Sequence, residues 1–367
     1  MKRKIKKAMI IVSVILFAVI LISVLTIIIA SLINSSKSTI DTENGVQEST
    51  YIDIDGMQQY IQIRGEDADN PVMIFIHGGP ASPMGYVSAY YQKQLESELT
   101  IINYDQRGCG RTYYANLPDS NVNIDLLIRD LNAIVEYAKE RFDKENVIIA
   151  GHSWGTVIGT IYAQKYPENV SCYIGISQIT NLYKNKLNAA RMALENEAIK
   201  GTEDEKKLTE LIERMSNVSL YKDMSMQDLG QLVSITSKYI ACSGEMTGLG
   251  QMWTGITSPD MNFEDMRWFT TQMNTEKFFA QNGTLMEYAF FEFDIEDFSH
   301  TYKIPVYYLA GEGDYAVCQR DAEAYYETVE APDKAFYQLE NVGHSMFMDD
   351  PQLYCDTIKN ILLKLDE

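Results

Sequence analysis

The pentapeptide Gly151-His152-Ser153-Trp154-Gly155 sets one serine between two glycines in the pattern G-x-S-x-G. The apolar run at 147–150 suits a strand, and residues 156–163 suit a helix. Strand, serine turn and helix together form the setting of a nucleophile elbow, which holds the serine exposed on a strained turn. Glycines allow the backbones to close in such a turn. A serine hydroxyl is a weak nucleophile near neutral pH. It needs an imidazole to take its proton and a carboxylate to hold that imidazole in the right tautomer. The chain has four histidines: His77, His152, His300 and His344. His77 and His152 belong to glycine-containing turns, and His300 has no motif around it. His344 follows the apolar run at 334–339 in a Gly-His loop and is the expected base. Asp314 stands just past the apolar run at 305–310 and is the expected acid, with Glu312 and Asp321 as rivals. The resulting order, Ser153, Asp314, His344, suits a nucleophile elbow on a parallel sheet.

A second glycine-rich turn, His77-Gly78-Gly79-Pro80, ends the continuous apolar run at 72–76. A run of that kind suits a strand covered on both faces. A backbone N–H from such a turn, with that of the residue after the nucleophile, can hold the oxyanion of an acyl-transfer intermediate. The donors expected here are Gly79 and Trp154. A third motif, Asp105-Gln106-Arg107-Gly108-Cys109-Gly110-Arg111-Thr112, follows the apolar stretch at 99–104. Its charges are expected to pair with one another and with backbone groups and to shape the pocket wall.

These three motifs resemble the HGGPG, DQRGxGxS and GGSWG patterns of the α/β-hydrolase superfamily, within it the proline iminopeptidase-like group, peptidase family S33. The likeness spans about residues 50–180 and 303–365. Ala81, Thr112 and His152 depart from the patterns without removing a catalytic group. The resemblance implies an α/β fold: a mostly parallel sheet flanked by helices, with a helical cap inserted over the site. It also implies release of N-terminal residues, proline among them, from short peptides. Aminopeptidases of the group hold the substrate amine with acidic residues. The stretch Met286-Glu287-Tyr288-Ala289-Phe290-Phe291 resembles their IENHYF segment, which implies Glu287 as an amine anchor.

The elements that must position these residues divide the chain. Lys2, Arg3, Lys4, Lys6 and Lys7 form a basic segment over 1–7, and residues 8–33 carry no charge. As a helix those residues would span ~39 Å, more than the ~30 Å hydrocarbon core requires. The apolar region exceeds the ~7–15 residues of a cleaved signal peptide, and no small-x-small cleavage site follows. A single-pass signal anchor in the cell membrane is expected, with the basic end in the cytoplasm and the catalytic domain outside. Residues 34–50 read as a flexible polar tether. The hydrolase core is expected over 51–177 and 303–367, opening on antiparallel strands near 51–55 and 59–63. Helical spacing of Leu126, Leu127, Leu131, Ile134, Val135 and Ala138 marks a helix over 123–142. Residues 178–302 form the helical cap. Of its methionines and aromatic residues Met246, Met252, Trp253, Met261, Met266, Trp268, Phe269, Phe278 and Phe279, most are expected to pack the cap onto the core and some to line an apolar pocket.

The chain carries 31 Lys and Arg against 51 Asp and Glu. Without the five N-terminal basic residues, 26 remain against 51, a net −25. That balance argues against a nucleic-acid partner. Five cysteines lack metal-like spacing, and free thiols are expected. The expected activity is acyl transfer on a short-peptide or other small-molecule substrate, without metal or organic cofactor. A carboxylesterase or amide hydrolase is the alternative, because the same three groups serve it equally. A surface binding protein without catalysis is the third reading.

Overall fold

The computed structural model describes residues 2–116 and 122–365. Met1, 117–121 and the last two residues lie outside it, so the first residue of the expected basic segment, a stretch inside the first core piece and the end of the second are not covered. An eight-stranded sheet runs through the chain in the order β1-β2-β4-β3-β5-β6-β7-β8. β1 (Val46–Ile54) and β2 (Met57–Gly65) form an antiparallel hairpin, and β2 pairs antiparallel with β4 (Thr100–Tyr104). All pairings from β4 onward are parallel, through β3 (Val72–Ile76), β5 (Val147–His152), β6 (Val170–Ile176), β7 (Val306–Gly311) and β8 (Lys334–Leu339).

Every residue of β3, β4, β5 and β7 is buried, because helices cover both faces of the sheet. Successive side chains point to opposite faces. Ile74, Ile76 and Ile149 therefore join one apolar cluster, while Met73, Phe75, Ile148 and Ala150 join the other. A long helix begins the chain, α1 (Lys2–Ser38). α2 (Ile124–Phe142) starts where Asn123 Oδ1 accepts the Leu126 N–H at 3.1 Å. Its Leu127, Leu131, Ile134, Val135 and Ala138 are buried, as their spacing requires. α3 (Trp154–Lys165) follows the serine turn.

Between β6 and β7 the chain forms helices rather than strands: α4 (Leu182–Glu195), α5 (Glu203–Met215), α6 (Met226–Ile240), α7 (Gly248–Ile256), α8 (Phe263–Met273) and α9 (Thr275–Glu287). The chain closes with α10 (Gln319–Thr328) and α11 (Pro351–Leu365).

Two expectations need correction. The tether expected over 34–50 shrinks to 39–45, because α1 continues to Ser38 and β1 begins at Val46. Asn34 Nδ2 donates to Thr257 O at 3.0 Å, and Arg64 donates to Ser38 O, so the end of α1 is fastened to the body. The cap's large apolar residues do not all pack inward. Trp268 is buried, but Met252, Trp253, Met266 and Phe269 are exposed.

α1 is long and apolar enough to cross a membrane, and the body buries none of its most apolar stretch.

Candidate active site

The serine turn explains its own glycines. Ser153 has φ 52 and ψ −119, a left-handed backbone that side chains rarely adopt. A Cβ at Gly155 would collide with Ile76 O at the end of β3, and one at Gly151 would strike the Gly155 carbonyl. The turn therefore closes only with glycine at both places. Gly78 has the same role across the cleft: a Cβ there would stand 3.1 Å from the Ser153 Cβ and 3.0 Å from His152 Nδ1. The two glycine-rich turns lie against each other at the carboxyl ends of β3 and β5, where parallel sheets place their sites.

Two backbone donors point to spare hydrogen-bonding capacity. The Gly79 N–H makes no hydrogen bond among the described residues. Trp154 is the first residue of α3 and has no carbonyl behind it within the helix.

His344 lies on the other side of the serine. Its Nδ1 is 2.9 Å from Asp314 Oδ2 and 3.0 Å from Oδ1. The Ala316 and Val317 N–H groups donate to Asp314 Oδ1 at 2.9 and 2.8 Å. Burial pushes the Asp314 carboxyl up, but His344, the Val317 N–H and Ser177 outweigh it and hold the group below its ordinary value. The rivals are engaged elsewhere. Glu312 accepts the Asn341 N–H, and Asp321 accepts from Asn185 and Asn188 of α4. The His344 backbone is pinned to the serine turn by His152, whose Nε2 lies 2.9 Å from His344 O. Burial, and then the neighbouring His344, push the His152 imidazole down to about 3, so it stays neutral and donates through Nε2. The Ser177 hydroxyl donates to the same carbonyl at 3.1 Å. No hydrogen bond joins Ser153 Oγ to His344. Such bonds often tighten only when substrate arrives.

The third motif pairs differently from expectation. Arg107 holds Asp130 of α2 in a two-pronged pair at 2.8 and 2.9 Å. Arg111 reaches into the cap and holds Asp265 at 2.7 and 3.0 Å, with Tyr60 Oη and Asp260 O as further acceptors. Within the loop, Asp105 accepts the Arg111 N–H at 2.6 Å, and burial pushes its carboxyl up to about 7. Gln106 bridges the Trp154 indole at 3.0 Å and His77 O at 2.8 Å. Both members of the Arg111–Asp265 pair are buried. Arg111→Met is therefore expected to destabilise the fold by about 3–5 kcal/mol, because it strands an unpaired carboxylate. Urea unfolding in detergent micelles checks this. A loss under about 1 kcal/mol would show the pair to be dispensable.

A family model described as alpha/beta hydrolase fold matches residues 71–351. The chain belongs to the alpha/beta hydrolase family. The hydrolase is 27% identical over 313 residues to the probable aminopeptidase YbaC of Bacillus subtilis, covering 84% of this chain and 93% of that one. It is 30% identical to a proline iminopeptidase of Lactobacillus delbrueckii subsp. bulgaricus over 125 residues, 34% of this chain and 41% of that protein. The crystal structure of proline iminopeptidase from Mycobacterium smegmatis superposes with a TM-score of 0.61 at 16% identity, over 87% of this chain and 99% of that one.

Three groups of the hydrolase site come from contacts that no local motif signals. Asp349 accepts the Gly343 N–H and the Met246 N–H, both at 2.8 Å, and so joins the His344 loop to the cap. Glu245, also from the cap, is half-buried over Gly313 and Gly343. Burial raises its carboxyl, the Cys242 N–H lowers it, and it feels the charges of Asp349, Asp314 and His344. Lys186 of α4 has no ion pair among the described residues. Burial pushes it down to about 8, while Asp314 pulls it back up. The turn at Gly78 and Gly79 also leans on the 178–302 insertion: the Trp268 indole and the Gln272 amide donate to Ala81 O at 3.0 and 2.8 Å. Glu287, by contrast, is exposed at the end of α9, beside Tyr221. It makes no hydrogen bond or ion pair with the residues around Ser153. The helix directs its neighbour Tyr288 toward Trp154 instead, with the rings 6.5 Å apart.

Proposed function

We propose that this hydrolase is a serine aminopeptidase, anchored in the cell membrane by α1 with its catalytic domain outside, that releases N-terminal residues from short peptides. The observation that carries the reading is the His344–Asp314 pair fixed beside the strained Ser153. Ser153 Oγ attacks the scissile carbonyl while His344 Nε2 takes its proton. Asp314 holds Nδ1–H and stabilises the imidazolium. The oxyanion binds the free N–H groups of Gly79 and Trp154. His344 then passes the proton to the leaving amine, and the acyl-enzyme forms on Ser153. Water, deprotonated by His344, releases the acid and restores the hydroxyl.

Residues 178–302 act as the cap that selects the substrate, and none of these steps calls for a cofactor. The similarity to a probable aminopeptidase over nearly its full length supports a peptide substrate. The exposed position of Glu287 does not favour it as the amine anchor. Glu245 is the cap carboxylate that shares the field of His344 and Asp314.

The test uses the full chain in detergent micelles, with proline p-nitroanilide and a short-chain p-nitrophenyl ester as substrates. Cleavage of both, with fluorophosphonate labelling at Ser153, is the expected result. Hydrolysis of the ester alone would replace the peptidase reading with the esterase one. Absence of label on Ser153 would remove the serine-hydrolase reading altogether.

A further inference from the structure

Apart from Leu220 and Met226, the exposed large apolar residues of the cap lie on two helices. On α8 they are Phe263, Met266, Phe269 and Met273, and spacing of three and four residues puts them on one face. The other face carries Asp265 and Trp268, both buried against the core. On α7 the exposed large apolar residues are Leu249, Met252 and Trp253, again on one face, and residues 246–256 contain no charge. Leu249 is 75% exposed, Phe263 69% and Met273 84%. Tyr86 links the two helices: it meets Phe269 edge-on at 5.5 Å and lies beside Gly255. Contiguous apolar surface of this kind marks a docking surface.

The position of α1 identifies what docks there. Its apolar run ends at Ile33, and Asn34 bonds both Thr257 O and Thr257 Oγ1, immediately after α7. The body partly covers α1 at Ile27, Ala30, Ser31 and Asn34, all on one face. From Ile27 to Asn34 is about 10 Å along a helix. The body therefore reaches below the level at which the apolar run ends. A groove of about 200 Å³ at this junction is lined by Lys37, Tyr90, Lys93, Thr254 and Pro259 among others, a basic and aromatic rim. Aromatic and basic residues are favoured at the membrane–water boundary. The body's strong negative charge would resist an anionic surface, but α7 adds nothing to that charge.

We propose that the outer face of α7 and α8 is a bilayer-docking surface, seated in the headgroup–acyl boundary of the leaflet from which α1 emerges. The proposal rests on α1 being a membrane anchor. Docking bears on catalysis, because the opposite face of α8 holds the oxyanion turn through Trp268 and Ala81. The protein would then work with its cap at the lipid surface rather than on a free tether.

The three tryptophans supply the test. Trp154 and Trp268 are buried, and only Trp253 is exposed, at 46%. The full chain is placed in phosphatidylcholine bilayers with and without bromine on the upper acyl chain. Bromine is expected to quench up to about a third of the emission, the share of one tryptophan in three. Trp253→Phe should abolish that loss, and the pair Leu249→Asp with Met252→Asp should greatly reduce it. Protein that stays with the vesicles through an alkaline wash yet shows no quenching overturns the docking surface and leaves the anchor standing. Protein released by the wash overturns both. A Trp253 protected from aqueous acrylamide but untouched by bromine would mean that a protein, not lipid, covers the face, and would also overturn the proposal.

Discussion

Ser153→Ala is expected to lower kcat on the order of 10⁵-fold and to abolish fluorophosphonate labelling, while the unfolding midpoint stays near that of the parent. The Ser153 side chain makes no hydrogen bond among the described residues, so its removal leaves no partner stranded there. What holds the turn together is backbone: the Ser153 N–H donates to Ile176 O at 2.9 Å, and Ser153 O accepts the Thr156 N–H at 2.8 Å. Alanine keeps both bonds. The left-handed backbone at 153 strains alanine as much as serine. A parallel loss of stability would make the activity result uninformative about chemistry, which is why both are measured. Retention of more than about a tenth of wild-type turnover would sink the nucleophile assignment.

Asp314→Asn should cost about 10⁴-fold in kcat with a small change in KM. An asparagine oxygen can still accept the Ala316 and Val317 N–H groups, so the loop is expected to keep its shape. The imidazole would then face an amide that does not hold the proton on Nδ1. With the proton on Nε2 instead, His344 cannot take one from Ser153. Glu312→Gln is the control, because the Glu312 carboxylate accepts the Asn341 N–H of the neighbouring loop and does not touch His344, so it should leave turnover nearly unchanged. The folded Asp314 carboxyl is held below its ordinary value. Its contribution to stability is therefore present above about pH 4 and is lost as the pH falls through the lowered pKa. Equal losses in the two variants would show that neither acid has a specific role.

Much of the sheet was readable in advance because β3, β5 and β7 are covered on both faces and appear as unbroken apolar runs. β1 starts earlier than its sequence suggests, since Gln47, Glu48 and Ser49 look like linker. They alternate in burial because β1 is an edge strand with one face in water. The serine turn and its glycines were legible from local geometry. The order of the chain favoured Asp314, and in the fold it is Asp314 that His344 touches. Asp349, Glu245 and Lys186 gave no signal, because they reach the site through tertiary contacts. The direction of the cap's aromatic residues was equally hidden. Trp253 and Trp268 are the same residue type fifteen positions apart, and only the packing of α8 against the oxyanion turn separates them. The exposure of Glu287 was hidden for a related reason: a short resemblance carries no information about the rotation of the helix that bears it.

Asp349 joins the histidine loop to Met246, and Trp268 joins the oxyanion turn to α8. The insertion therefore grips both loops that flank Ser153. It cannot be exchanged for a relative's cap as an independent module. A chimera that changes the insertion alone would arrive with a displaced base and a misplaced anion hole, and would show poor turnover even on its new substrate. Residues 246 and 268 would have to travel with positions 349 and 81, so specificity in this lineage is expected to drift by point changes along the cap rather than by wholesale replacement.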